Sequence, residues 1–207
     1  MATAVKICGI TRADDALHAA RSGAHAIGLV FHPASPRCVS VATARAVISA
    51  LPPFVSVIGL FVDATADAVN TILAAVRLSA LQFHGDEAEA YCRQFQLPYI
   101  KAVRVRPETD LLQCASAYSS AQGLLLDSFD PNQHGGSGVS FDWALIPNEL
   151  TRSVILAGGL TPENVEQAIR RVRPWAVDVS SGVEQSKGVK DADKVSAFIR
   201  GARNADV

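Results

Sequence analysis

The chain has 207 residues, 49% hydrophobic and 19% charged, a balance that excludes disorder and suits one soluble globular domain over residues 1–207. Its 19 Lys and Arg oppose 20 Asp and Glu, a formal net charge of -1, so no field exists for general nucleic-acid or anionic-membrane binding and the expected partner is a small molecule. Cys8, Cys38, Cys92 and Cys114 are scattered without a CxxC pair and read as reduced thiols in a cytoplasm; no apolar run of about 18 residues marks a membrane span, and no signal-peptide pattern opens the chain.

In chain order, short apolar runs alternate with helical stretches. Val5 to Cys8 is the first predicted strand. Thr11-Arg-Ala-Asp14 then has the form of a capping box for a short helix over Ala16 to Arg21, with Gly23 past its end. Further strands are predicted at Ala26 to Phe31, Val55 to Val62, Ala80 to His84, Tyr99 to Arg104, Gly123 to Asp127, Ser153 to Ala157 and Ala176 to Ser180. Between the last two, Thr161-Pro162-Glu163 reads as a cap with Pro at the first helical position. Strand ends recur about every 25 residues, the length of a strand, helix and two loops, and the near-continuous apolar runs suit parallel strands covered on both faces. Eight strands with eight helices fit an open doubly wound sheet or a closed barrel; we favour the single-domain (βα)8 TIM barrel, with short loops at this length. The looser stretch from Asp130 to Gly138, with glycines at Gly135, Gly136 and Gly138, is the lid candidate.

Alternation within the strands gives the site. Val5 and Ile7 share one face and Lys6 and Cys8 the other; Leu81 and Phe83 oppose Gln82 and His84, Leu124 and Leu126 oppose Asp127, and Val177 and Val179 oppose Asp178 and Ser180. Apolar faces meet helices, so the polar faces point inward. Cys8, His84, Asp127 and Ser180, nearest the strand C-termini, then gather where barrel enzymes place their chemistry.

Two glycine turns follow the last two strands, Gly158-Gly159 and Ser181-Gly182. Glycine lets backbone N–H groups approach an anion, and the turns after strands seven and eight of many barrels bind phosphate; a tight turn is the plainer reading. Cys8 and Asp127 pair a potential thiolate base with a carboxylic acid across one mouth. Cys8 could instead be a small buried hydrophobe, as Cys38, Cys92 and Cys114 are read, and Asp127, Asp63 and Asp178 could each cap loop N–H groups. Lys6 is not assumed to help the thiol. His84 either orients substrate or satisfies loop carbonyls, and we read it as structural first. Arg37, in a loop with two prolines, either forks onto a substrate carboxylate or faces solvent. No nucleotide-loop, zinc-protease or serine-elbow motif occurs, and the five histidines share no ligand spacing, so no cofactor and no metal is implied. The remaining chemistry is acid/base isomerisation of a phosphorylated small molecule.

Lys6-Ile-Cys-Gly-Ile-Thr11, Gly28-Leu-Val-Phe31 with Ser35-Pro-Arg37, Gln82-Phe-His-Gly85, Leu126-Asp127, Phe141-Asp-Trp143, Leu156-Ala-Gly-Gly-Leu160 and Asp178-Val-Ser-Ser-Gly-Val-Glu184 together resemble phosphoribosylanthranilate isomerase across nearly the whole chain. Phe83, where that family often has Leu, and Ser137, where Thr is common, are small departures. The resemblance implies an Amadori rearrangement in tryptophan biosynthesis on a phosphoribosyl substrate, without cofactor. It implies Asp127 as general acid and Cys8 as general base. Arg37 would hold the anthranilate carboxylate, and backbone near Gly158, Gly159, Ser181 and Gly182 the phosphate; Asp178, Ser180 and His84 complete the expected substrate site. Assembly as monomer or homodimer stays open. A histidine-pathway barrel isomerase would be expected to carry two catalytic aspartates, where the first strand here ends in Cys8; an idle phosphoribosyl-binding barrel would bind without turnover.

Overall fold

The computed structural model describes residues 2–128 and 141–205. Eight parallel strands close into a barrel: β1 (Ala4–Ile7), β2 (Ala26–Val30), β3 (Ser56–Phe61), β4 (Ala80–Phe83), β5 (Tyr99–Val105), β6 (Gly123–Ser128), β7 (Val154–Leu156) and β8 (Ala176–Val179). Each strand pairs with its neighbour in sequence, and β8 returns to β1 with Lys6 opposite Asp178. Closure leaves the barrel without an edge strand.

Seven helices stand in the described residues: α1 (Ala13–Ser22), α2 (Val41–Ala50), α3 (Ala66–Ala75), α4 (Glu89–Cys92), α5 (Leu111–Ala117), α6 (Val165–Val172) and α7 (Ala192–Asn204). The eighth expected helix, between β6 and β7, is replaced in the described part by a 3-10 turn at Trp143–Leu145. Pro147 interrupts the short remaining run to β7, too little chain for a helix and a return loop. The lid candidate, including Gly135 to Gly138, lies outside the described residues. After β8 the chain adds a hairpin the sequence pattern missed, β9 (Glu184–Ser186) with β10 (Val189–Lys190).

Two expected caps move. Thr11 does not cap α1; its hydroxyl donates to the Gly188 carbonyl in the hairpin, and Arg12 takes the N-cap position with no side-chain bond. Thr161 opens a turn rather than a helix: its N–H donates to Asn164 Oδ1 at 2.8 Å, and α6 begins after Asn164. Gly23 does close α1, at φ 106° with its N–H shared between the Ala19 and Ala20 carbonyls.

The strands have two chemically different faces, as alternation predicts. Val5, Ile7, Phe61, Phe83, Val177 and Val179 pack outward with Phe198 and Ile199 of α7 and the other helices into one apolar layer. Burying each such side chain contributes about 1.5–3 kcal/mol. Inside the barrel, Ala102, Leu125, Ile155 and Ala176 form a separate small cluster, and above it the interior turns polar at Lys6, Gln82, Asp127 and Asp178.

Candidate active site

Four strand ends bring the first of the expected site side chains together. Cys8 follows β1, His84 follows β4, Asp127 lies in β6 and Asp178 in β8, and all are 7% exposed or less. Alternation turns these groups inward, and parallel register puts them at the same C-terminal end of the barrel. The loops add Arg37 after β2, Gly158 and Gly159 after β7, and Ser180, Ser181 and Gly182 after β8. Every site residue expected from the sequence lines this one pocket. A larger cavity, about 780 Å³, lies among residues that lead into β1, β7 and β8 at the opposite end, and contains none of them.

Asp127 is held on both oxygens: Oδ1 accepts the Ser128 N–H at 2.8 Å, and Oδ2 lies 3.1 Å from His84 Nε2. The other ring nitrogen of His84 is 3.0 Å from the Gln82 amide nitrogen. His84 thus neither serves loop carbonyls nor stands alone; it stands between Gln82 and Asp127 and links them. Behind it, Lys101 Nζ donates to the Gly85 carbonyl and, at 2.9 Å, to Glu87 Oε2, while Glu87 accepts the Gly85 N–H, fixing the turn that carries His84.

Cys8 sits against an apolar wall of Val30, Leu60 and Val62. Burial pushes its thiol up, and the Lys6 and Lys190 ammonium groups pull it back part of the way. Arg37 does not face solvent. Its Nε and Nη2 fork onto Glu184 at 2.7 and 2.8 Å, leaving Nη1 without a partner among the described residues. Lys190 Nζ, 1% exposed at its side chain, bonds the same Glu184 at 3.0 Å and the Ser180 carbonyl at 3.0 Å. Sequence reasoning gave no role to Lys6, Gln82, Glu184 or Lys190; the signals available were polarity at the inward positions 6 and 82 and the place of Lys6, Gln82 and Glu184 in the motifs that carry the resemblance.

At the other side of the mouth, Gly158 takes φ 76°, and a Cβ there would lie 2.4 Å from the Ser128 nitrogen, so only glycine fits this turn. The N–H groups of Gly159, Ser181 and Gly182 meet no main-chain carbonyl among the described residues. The pocket therefore joins an apolar wall, a buried thiol, a buried carboxyl group, a guanidinium edge and a rim of open N–H groups. Among the described residues no three His, Cys, Asp or Glu side chains group as metal ligands.

The sequence model for the family described as N-(5'-phosphoribosyl)anthranilate (PRA) isomerase matches residues 5–201. The chain is 56% identical over 203 residues to the N-(5'-phosphoribosyl)anthranilate isomerase of Thiobacillus denitrificans, covering 98% of this chain and 99% of that one. Its fold is similar to the phosphoribosyl anthranilate isomerase of Thermotoga maritima, with TM-score 0.90, 43% identity and coverage of 98% and 99%. A second solved structure, of phosphoribosyl anthranilate isomerase in complex with reduced 1-(o-carboxyphenylamino)-1-deoxyribulose 5-phosphate, gives TM-score 0.87, 42% identity and coverage of 98% and 99%. By the match along its length and the identity of its relatives, the chain belongs to the phosphoribosylanthranilate isomerase family.

Proposed function

We propose that this pocket converts N-(5-phosphoribosyl)anthranilate to 1-(2-carboxyphenylamino)-1-deoxyribulose 5-phosphate with Asp127 as general acid and Cys8 as general base. Family membership makes the chain a phosphoribosylanthranilate isomerase of tryptophan biosynthesis; the assignment of roles is ours. The observation that carries it is the convergence of Cys8, with its apolar wall, and the His84-linked Asp127 on one pocket rimmed by open N–H groups.

The aryl ring of the substrate suits the wall of Val30, Leu60 and Val62, its carboxylate suits the Nη1 of Arg37, which meets no partner among the described residues, and its phosphate suits the rim at Gly159, Ser181 and Gly182. Asp127, paired with His84, gives a proton to the furanose ring oxygen; the C1–O bond breaks and the anilino nitrogen lone pair forms an iminium. Cys8 then takes the C2 proton, leaving an enolamine that tautomerises to the ketone. The iminium favours the thiolate, which offsets part of the burial that holds the thiol protonated. Nothing is oxidised or reduced overall. We place this reaction in one catalytic domain over residues 1–207 in a cytoplasm, a setting that suits four free thiols; among the described residues no helix is long and apolar enough to cross a membrane.

Phosphoribosylanthranilate made in situ from anthranilate and phosphoribosyl pyrophosphate by a separate transferase reports turnover through its fluorescence decay. Cys8→Ala and Asp127→Asn are each expected to lower kcat by about 10²-fold or more with the fold intact. Near-normal kcat in either folded variant removes that residue from its role. Tight binding by the wild type without turnover would instead favour a binding barrel.

A further inference from the structure

Lys6 is a buried charge to which the Cys8 and Asp127 steps give no task. Its side chain is 6% exposed, and among the described residues its ammonium donates to Asp178 Oδ1 at 2.8 Å and has the Cys8 thiol as a second polar neighbour. An ammonium carries three protons, so one carboxylate oxygen leaves two for other neighbours. Lys6 and Cys8 lie two residues apart on the inward face of the first strand, Lys6 one layer deeper. Gly28 of β2 measures their approach: a Cβ there would sit 2.7 Å from Cys8 Sγ and 3.2 Å from Lys6 Nζ. Sulfur and ammonium thus both border the space that a glycine leaves open, and a Cβ at 28 would force the sulfur to shift.

The charged and titratable groups facing Cys8 are Lys6 of β1, Asp178 of β8, Lys190 of β10 and Arg37 after β2, with His84 and Asp127 across the pocket. Lys190 and Arg37 both spend hydrogen bonds on Glu184. Lys6 is the strongest influence that opposes the burial of the Cys8 thiol, and it exceeds the contrary effect of Asp178. Burial pushes Lys6 itself down, but Asp178 and Cys8 reverse this, so it stays an ammonium.

We propose that Lys6 is a positioning residue of the isomerase reaction, kept cationic by Asp178 and set beneath Cys8 as the counter-charge of the thiolate that takes the C2 proton. This inference rests on the reading of Cys8 as the base. Gly28 belongs to the same device, because it lets the two groups stand side by side. The alternative is that Lys6 and Asp178 fill the barrel as an ion pair with no bearing on the thiol.

The experiment titrates Cys8 by thiolate ultraviolet absorbance in the protein without substrate, taking each variant minus the same variant carrying Cys8→Ala to remove the other thiols and the tyrosines. In Lys6→Met the Cys8 midpoint is expected to rise by about one pH unit or more, the effect of removing a neighbouring opposite charge, while Lys6→Arg stays near wild type. The kcat/KM of Lys6→Met then falls about tenfold near neutral pH and recovers as pH rises, a recovery that a loosened barrel would not give. An unmoved midpoint in folded Lys6→Met overturns the proposal. If Lys6→Met does not fold, because Asp178 is left as an unpaired buried carboxylate, Lys6→Met with Asp178→Asn removes both charges. Its midpoint must still rise, since the Lys6 effect is the larger, and an unmoved or lowered midpoint again overturns the idea. Full activity in Cys8→Ala would defeat the base assignment instead, and the titration would still show whether Lys6 sets the thiol.

Discussion

At the residue scale, Arg37 and Glu184 act as one unit. Glu184 takes two guanidinium nitrogens and Lys190, so the Arg37 edge that we propose for the substrate carboxylate is held in place by the protein alone. Burial pushes the Glu184 carboxyl up, but the hydrogen bonds and charges of Arg37 and Lys190 outweigh this and hold it below the usual carboxylate range. A carboxylate lowered on folding adds stability above its unfolded value of about 4.3, and that stability is lost as pH falls through the folded value. Arg37→Ala and Glu184→Gln are both expected to raise KM with kcat within a few-fold, because they disturb an anchor outside the reacting bonds. Glu184→Gln also removes one partner of a buried charge cluster, a loss of about 3 kcal/mol near pH 7. Urea unfolding of wild type and variant at several pH values checks the sign: the gap between them must close as pH drops below about 4. A gap constant with pH, or an unchanged KM in Arg37→Ala, would make the unit a bystander.

At the element scale, the strands were legible because their signal is local: apolar character over three to seven residues set their position, and alternation within them set their inward face. Helix starts were less legible. Thr11 has the pattern of a cap, but its hydroxyl goes to Gly188, 177 positions away, and no local pattern announces that competitor. The β9–β10 hairpin and the loss of a helix before β7 were missed for related reasons, since short strands and a 3-10 turn carry too few residues to show a period. The displaced cap leaves a testable gap. Arg12 is exposed, sits at φ -131° and ψ 142°, the extended backbone a capping residue needs, and makes no cap bond. Arg12→Ser is expected to stabilise the protein by about 0.5–1 kcal/mol, or roughly 1–4 °C in Tm, with kcat unchanged. A lower Tm would mean that Arg12 has a role its geometry does not reveal.

At the scale of the whole molecule, the barrel wall separates stability from chemistry. Inward residues of β4 and its end, Gln82 and His84, serve the site, while Phe83 between them turns outward. That division let the polar residues that line the pocket be picked out from the sequence. Their supports were not readable, because Lys6 to Asp178 and Arg37 to Glu184 span 172 and 147 positions and depend on closure of the barrel. The same wall predicts what a substitution on its outer face does. Phe83 is fully buried, with ring centroids 5.7 Å from Tyr91, 5.7 Å from Phe95, 5.9 Å from Tyr99 and 6.3 Å from Phe61, so it ties β3, β4 and β5 to α4. Leu at this position, which the family often has, keeps the apolar character but loses the ring contacts. Phe83→Leu is therefore expected to lower stability by about 1–2 kcal/mol, or roughly 2–8 °C in Tm, from imperfect repacking and lost aromatic pairs. Its kcat and KM should stay within about twofold of wild type, because packing is disturbed on the side of the wall away from the pocket. Thermal unfolding and steady-state kinetics on the same preparation decide it: a collapse of kcat would show that the outer layer holds His84 in register, and an unshifted Tm would show that the aromatic cluster has room to repack.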